Sequence, residues 1–251
     1  MLTSIRSLLA VTALAGGILI ATPTMAQDAE AAPSAFTVSG NVSGVTDYRF
    51  RGVSLSQGDP AIQGGITITH SSGFYVGAWS SSLGYTPLYG EQELDLFGGW
   101  GGEISAGTKV DVGLLKYVYP GNDIGPADYW EPYASISHTF GPATFKLGAA
   151  YAWEQDSLGG SDNIYGYANL DVGVPSTPIT VSGHLGYTDG VLAPPLLSGL
   201  SSDDTGFDWS IGASATVLGH LSVGVAYIGV DGPSVDGLTD DTVVGTLTLS
   251  L

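Results

Sequence analysis

From Phe36 onward, apolar and polar residues alternate with period two over most of the chain. That is the pattern of strands whose two faces meet different surroundings. Phe36, Val38, Gly40, Val42 and Gly44 share one parity, against Thr37, Ser39, Asn41 and Ser43. The parity carries on into Tyr48 and Phe50, which predicts one long first strand. Ile62, Ile66 and Ile68 then oppose Gln63, Thr67 and Thr69. A third run, Phe74 to Ser82, is partly apolar on both faces, so alternation leaves its sides open. Nine further runs follow, over 94–100, 110–114, 130–136, 145–153, 164–174, 179–187, 207–215, 221–227 and 243–251. Most span about 9–12 residues, the length of a tilted membrane-crossing strand.

The connections alternate in length. Short turns are expected at Ser71–Gly73, Gly102–Gly107, Gly141–Pro142, Pro175–Pro178 and Leu218–Gly219. Longer loops are expected at Val53–Pro60, Leu83–Gly90, Pro120–Asp128, Glu154–Asp162, Asp189–Thr205 and Val230–Asp241. Short turns at one end and long loops at the other predict an all-β, transmembrane, up-and-down antiparallel β-barrel of 12 strands. A secreted β-sandwich also alternates, but its strands are nearer five or six residues. Aromatics also gather at strand ends: Tyr48, Phe50, Trp100, Trp130, Phe140, Trp153, Tyr187, Trp209 and Tyr227. That placement is expected of girdles at two membrane interfaces.

Composition narrows the class. Only 12% of the residues are charged while Gly numbers 38 of 251 and Cys is absent, so neither an acidic disordered chain nor a disulfide scaffold fits. Arg6, an apolar run from Leu8 to Ala21, and Thr24-Met25-Ala26 have the layout of a secretory signal peptide cleaved after Ala26. The expected organisation is a leader over 1–26, a disordered lead-in over 27–35 and a barrel over 36–251. The net charge of −18 speaks against nucleic acid as a partner. Outer-membrane lipid, lipopolysaccharide, the barrel assembly machinery and small polar solutes are the partners expected of an exported barrel.

Lumen-facing parity collects the candidate chemistry. Asp47, Arg49 and Arg51 share one face of the expected first strand, so they are read as lumen residues beneath the first external loop. Gln63, Glu93, Asp95, Lys109, Asp111 and Glu131 face the same interior, with Lys146, Asp171 and Asp208 further along. Opposed charges across a narrow lumen select small polar solutes or ions, as charge rings do in channels, and the excess of acids favours cations. The same residues can instead form a buried ion network that plugs a non-conducting structural or adhesive barrel. Acids in the long loops, from Asp59 to Asp240 and Asp241, lack any recognised Ca²⁺-loop spacing and read as solvated. His70, His138, His184 and His220 belong to no recognisable nucleophile–base set, so a lipid-acting enzyme ranks last. No cofactor or metal is expected.

Several stretches resemble a known family. Thr46-Asp47-Tyr48-Arg49-Phe50-Arg51-Gly52-Val53-Ser54 and Pro60-Ala61-Ile62-Gln63-Gly64-Gly65 are similar to the opening signature of the TorF-type porin family of proteobacterial outer-membrane proteins. Ser72–Gly77, Glu93–Gly99, Tyr117–Gly121 and Asp128–Glu131 extend the resemblance, which fades beyond Phe140. It implies an outer-membrane barrel and a pore, and carries no substrate. The chain departs from the usual aromatic ending of such barrels by finishing Thr248-Leu249-Ser250-Leu251.

Overall fold

The computed structural model describes residues 34–251; the expected leader and most of the lead-in lie outside them. Twelve antiparallel strands close into a barrel. They are β1 (Phe36–Val45), β4 (Ala61–His70), β5 (Phe74–Thr86), β6 (Gly90–Ser105), β7 (Thr108–Val118) and β8 (Tyr129–Phe140). The circuit continues through β9 (Ala143–Gln155), β10 (Ser161–Gly173), β11 (Ile179–Gly190), β12 (Thr205–Val217), β13 (Leu221–Val230) and β14 (Thr242–Ser250). Two further short strands, β2 (Arg49–Phe50) and β3 (Val53–Ser54), pair only with each other. Each barrel strand pairs with its neighbours in chain order, and β1 meets β14 from Asn41↔Ser250 to Val45↔Thr246. Closure leaves the sheet without a free edge strand, which a sheet in lipid requires. Ser43 and Thr248 bridge that seam inside the barrel, their hydroxyl oxygens 2.8 Å apart.

Alternation sorts the faces. Val42, Ile62, Val76, Leu96, Leu147, Ile211 and Leu247 point outward and are exposed over the barrel's girth. An apolar belt this continuous is suited to hydrocarbon rather than water. Trp130, Trp153, Tyr187 and Tyr227 rim it near the long-loop end, and Phe36, Phe74 and Phe140 near the other. Among the described residues no helix is long and apolar enough to cross a membrane, a statement that bears on helices alone. The third run, open in the sequence, resolves: Tyr75, Gly77, Trp79 and Ser81 face inward, Phe74 and Val76 outward. A Cβ on Gly77 would sit 2.3 Å from the Phe97 ring, so this glycine makes room for an inward aromatic on β6.

Three expectations fail locally. The first strand ends at Val45, and Tyr48 and Phe50 are buried inside the barrel, not in an outer girdle. The loop expected over Leu83–Gly90 is largely strand, because β5 and β6 run on to Thr86 and from Gly90. Likewise β9 runs to Gln155 and β10 starts at Ser161, which shortens the loop expected over Glu154–Asp162. The long connections that remain are 46–60, 119–128, 191–204 and 231–241.

Candidate functional site: a hairpin folded into the lumen

Beyond Val45 the chain leaves the wall. Thr46 still pairs with β14, its N–H donating to Gly245 O and its hydroxyl accepting from Gly245 N–H. Asp47 then turns inward, and residues 49–54 double back as the β2–β3 hairpin, registered Arg49↔Ser54 and Phe50↔Val53. A two-residue hairpin turn of the favoured hand needs positive φ at both central positions. Arg51 (φ 48°) and Gly52 (φ 79°) supply it.

The hairpin is organised by its own polar groups. Asp47 accepts from the hydroxyls of Ser54 (2.6 Å) and Ser56 (3.0 Å) and from Arg49 Nε. Leu55 N–H donates to Tyr48 O at 2.8 Å and closes the hairpin base. Arg49 reaches over to the 231–241 loop, donating to Leu238 O, Asp240 O and Asp240 Oδ1 at 3.2, 2.8 and 3.0 Å. Asp240, expected to be a solvated loop acid, is therefore part of this network.

Arg51 points the other way. Its Nη2 donates to both carboxylate oxygens of Glu131 on β8, at 2.7 and 2.8 Å. The guanidinium carbon lies 4.2 Å from the ring centre of Tyr165 on β10 and 4.7 Å from that of Phe50. Tyr117 steadies the same carboxylate, its hydroxyl donating to Glu131 Oε2 at 3.1 Å. The Gly52 tip presses on the wall at β12 and β13, where a Cβ would lie 2.2 Å from Val230 Cγ1 and 3.1 Å from Asp208 Cβ, while Arg51 reaches β8 and β10 across the lumen. The segment thus spans the lumen from β1 to the opposite strands.

Aromatic packing fills the space between these poles. Tyr48 lies edge-on to Trp79, Phe50 edge-on to Tyr117, and Tyr117 stacks on Tyr129 at 4.3 Å. Glu93 is wholly buried and accepts from the hydroxyls of Tyr48 (2.8 Å) and Tyr119 (3.3 Å). Burial, and then the charge of Glu93, holds the Tyr119 hydroxyl well above its ordinary pKa, so it remains a donor. Asp95 is buried beside them, and its Oδ1 has no hydrogen-bond partner.

Buried inward residues form a complete circuit at this level. Each strand from β4 to β14 contributes at least one, among them Ala61, Ser81, Glu93, Glu131, Thr188 and Asp208. With the hairpin inside that ring, buried side chains crowd the long-loop half of the barrel. The short-turn half carries the more accessible inward charges: Lys109 is exposed, and Asp111, Lys146 and Asp171 are half-buried. Gln63, half-buried, is registered against Ser81 of that ring and donates to its Oγ at 3.3 Å.

The nine residues singled out from the sequence therefore separate. Asp47, Arg49 and Arg51 belong to the hairpin; Glu93, Asp95 and Glu131 form the wall around it. Lys109 and Asp111 sit in the open half, where Asp111 accepts from Tyr75 (3.0 Å). Alternation set Asp47, Arg49 and Arg51 on one strand face, whereas the turn at Arg51 sends it away from the Asp47–Arg49 pair. The tyrosines escaped notice because their parity carries no sign of which side is core. His184 points inward, with Nε2 2.7 Å from Asp208 Oδ1 and Nδ1 2.5 Å from Asn169 Oδ1. The Tyr165 hydroxyl joins the same contacts, 3.0 Å from His184 Nε2 and donating to Asp208 Oδ1 at 3.3 Å. Among the described residues no group of three or more His, Asp or Glu is arranged to hold a metal.

A family model, described as a bacterial protein of unknown function (Gcw_chp), matches residues 28–248. The chain belongs to that family. No curated protein matches it in sequence. Its barrel is similar to those of solved outer-membrane porins. The NanC porin superposes with a TM-score of 0.58 at 11% identity, covering 84% of this chain and 98% of the other. The KdgM porin gives 0.55 at 9% identity, covering 84% and 97%. An outer-membrane channel from Pseudomonas putida F1 gives 0.53 at 13% identity, covering 88% and 96%. At such identities the likeness shows the fold, a closed twelve-stranded antiparallel barrel of the porin kind.

Proposed function

We propose that the protein is a porin-like channel of the outer membrane for small polar solutes or ions, described here in a closed state. One observation carries the reading: the barrier is a separate hairpin, tied to the wall through Arg51–Glu131 and Tyr48–Glu93 and to the 231–241 loop through Arg49, inside a wall that is otherwise of porin form. A barrel whose own side chains filled the lumen would have no movable part. Withdrawal of residues 46–60 leaves a lumen lined by Glu93, Asp95, Glu131 and Asp208, since Arg49 and Arg51 leave with the hairpin. That lining favours cations.

The apolar belt, the two aromatic rims and the TorF-type resemblance support an outer-membrane location. The short turns then face the periplasm, and the long loops face outward among lipopolysaccharide. The KdgM porin has been solved with disordered oligogalacturonate; the acid-lined wall of this chain speaks for solutes of the opposite charge. A second reading, a non-conducting structural barrel, is favoured by the many hydrogen bonds of Asp47 and Arg49. Planar-bilayer recording separates the two. The channel reading expects brief openings with reversal potentials displaced toward cation permeation. Silence in the wild type and in hairpin variants would select the structural barrel, and anion preference would contradict the acid-lined lumen.

A further inference from the structure

We infer that the wall pocket holding Arg51 is a subsite for an organic cation bearing a guanidinium group, with Arg51 as its tethered occupant. The inference rests on the channel reading only in that the hairpin must withdraw for a solute to enter. Three wall residues make the pocket, and all stay behind when the hairpin leaves. Glu131 supplies the carboxylate, Tyr165 a ring face 4.2 Å from the guanidinium carbon, and Tyr117 a hydroxyl that fixes Glu131 Oε2. Carboxylate and aromatic face together suit a flat, delocalised, weakly hydrated cation better than a compact ammonium or a metal ion.

Arg51 fits this pocket incompletely. A guanidinium and a carboxylate are best matched when two nitrogens donate in parallel to two oxygens. Here one nitrogen, Nη2, serves both oxygens of Glu131, and buried Nη1 has no hydrogen-bond partner. The turn at Arg51–Gly52, wedged against Val230, dictates that approach. A free guanidinium is not so constrained and can present both nitrogens. Charge around the pocket also favours a cation. Glu93 and Asp95 lie on β6 nearby, while the wall lysines Lys109 and Lys146 face the other half of the lumen and Lys116 points outward to Asp128 and Trp130.

Methylguanidinium is the probe. In full-length Arg51→Ala protein, folded by the criterion of heat-modifiable gel mobility, calorimetry is expected to show binding at least tenfold tighter than in Arg51→Ala/Glu131→Gln. Equal binding by the two variants, or none by either, overturns the subsite. If Arg51→Ala does not fold, the wild type serves. Millimolar methylguanidinium then competes with Arg51 and raises the frequency of openings severalfold, while tetramethylammonium at equal concentration does not; equal effects of the two cations overturn the subsite. Binding by an Arg51→Ala protein that never conducts would support the subsite while defeating the channel reading.

Discussion

Glu131→Gln tests the latch most sharply, because it removes a charge while keeping shape and the acceptor for Tyr117. In the closed state it leaves the Arg51 guanidinium buried without its counter-ion; side-chain exposure of the pair is 4% and 3%. Breaking a buried pair by removing one partner costs about 3–5 kcal/mol. Contact with the Tyr165 ring, about 0.5–2 kcal/mol, survives in the variant and does not offset the loss. In the open state Arg51 returns to water, so the whole cost falls on closure. At about 1.4 kcal/mol per tenfold, the closed-to-open ratio falls by roughly 10²- to 4 × 10³-fold. Single-channel recording reads this as long openings replacing rare ones. Arg51→Met/Glu131→Gln is expected to close nearly as well as wild type, since replacing both partners of a buried pair is close to neutral. A folded Glu131→Gln barrel with wild-type open probability would refute the latch.

Other consequences can be checked separately. Trypsin should leave wild-type Arg49 and Arg51 uncut, because both are buried, and cleave there in Glu131→Gln; equal resistance would show that the hairpin stays in place. Gly52→Val drives its side chain into Val230, where even a Cβ lies 2.2 Å away at a φ of +79°, so openings should lengthen without loss of barrel mobility on gels. Gly77→Ala meets the Phe97 ring at 2.3 Å and should lower the temperature of barrel unfolding by several degrees, whereas Gly183→Ala, with nothing within 4 Å, should leave it unchanged. Raising KCl from about 0.1 to about 1 M should barely alter open probability, because buried pairs are weakly screened; steep salt dependence would point to an exposed latch.

The barrel was legible because lipid on one side and a crowded lumen on the other impose period two on every strand. Runs such as 145–153 and 207–215 show it over their whole length. Between Val45 and Ala61 the same rule misled. Tyr48 and Phe50 keep the parity of the first strand, yet period two reports only that faces differ, not which face meets lipid. The usable signal was Arg51-Gly52 between two short apolar–polar pairs, a two-residue turn too close to Val45 for a membrane-length strand to contain it. Asp240 was illegible for another reason: its partner lies 191 residues away in sequence. Loop acids look alike until the fold brings a guanidinium to one of them.

On the proposed reading, residues 46–60, rather than the wall, close the lumen. Replacing residues 47–58 with a short glycine-containing turn joins β1 to β4 directly and removes the hairpin while sparing every wall residue. Single-channel conductance of this protein, refolded and shown to be heat-modifiable, is the most direct measurement. A stable open level is expected in almost every insertion, with cations preferred. A correctly folded barrel that still carries no current would contradict it.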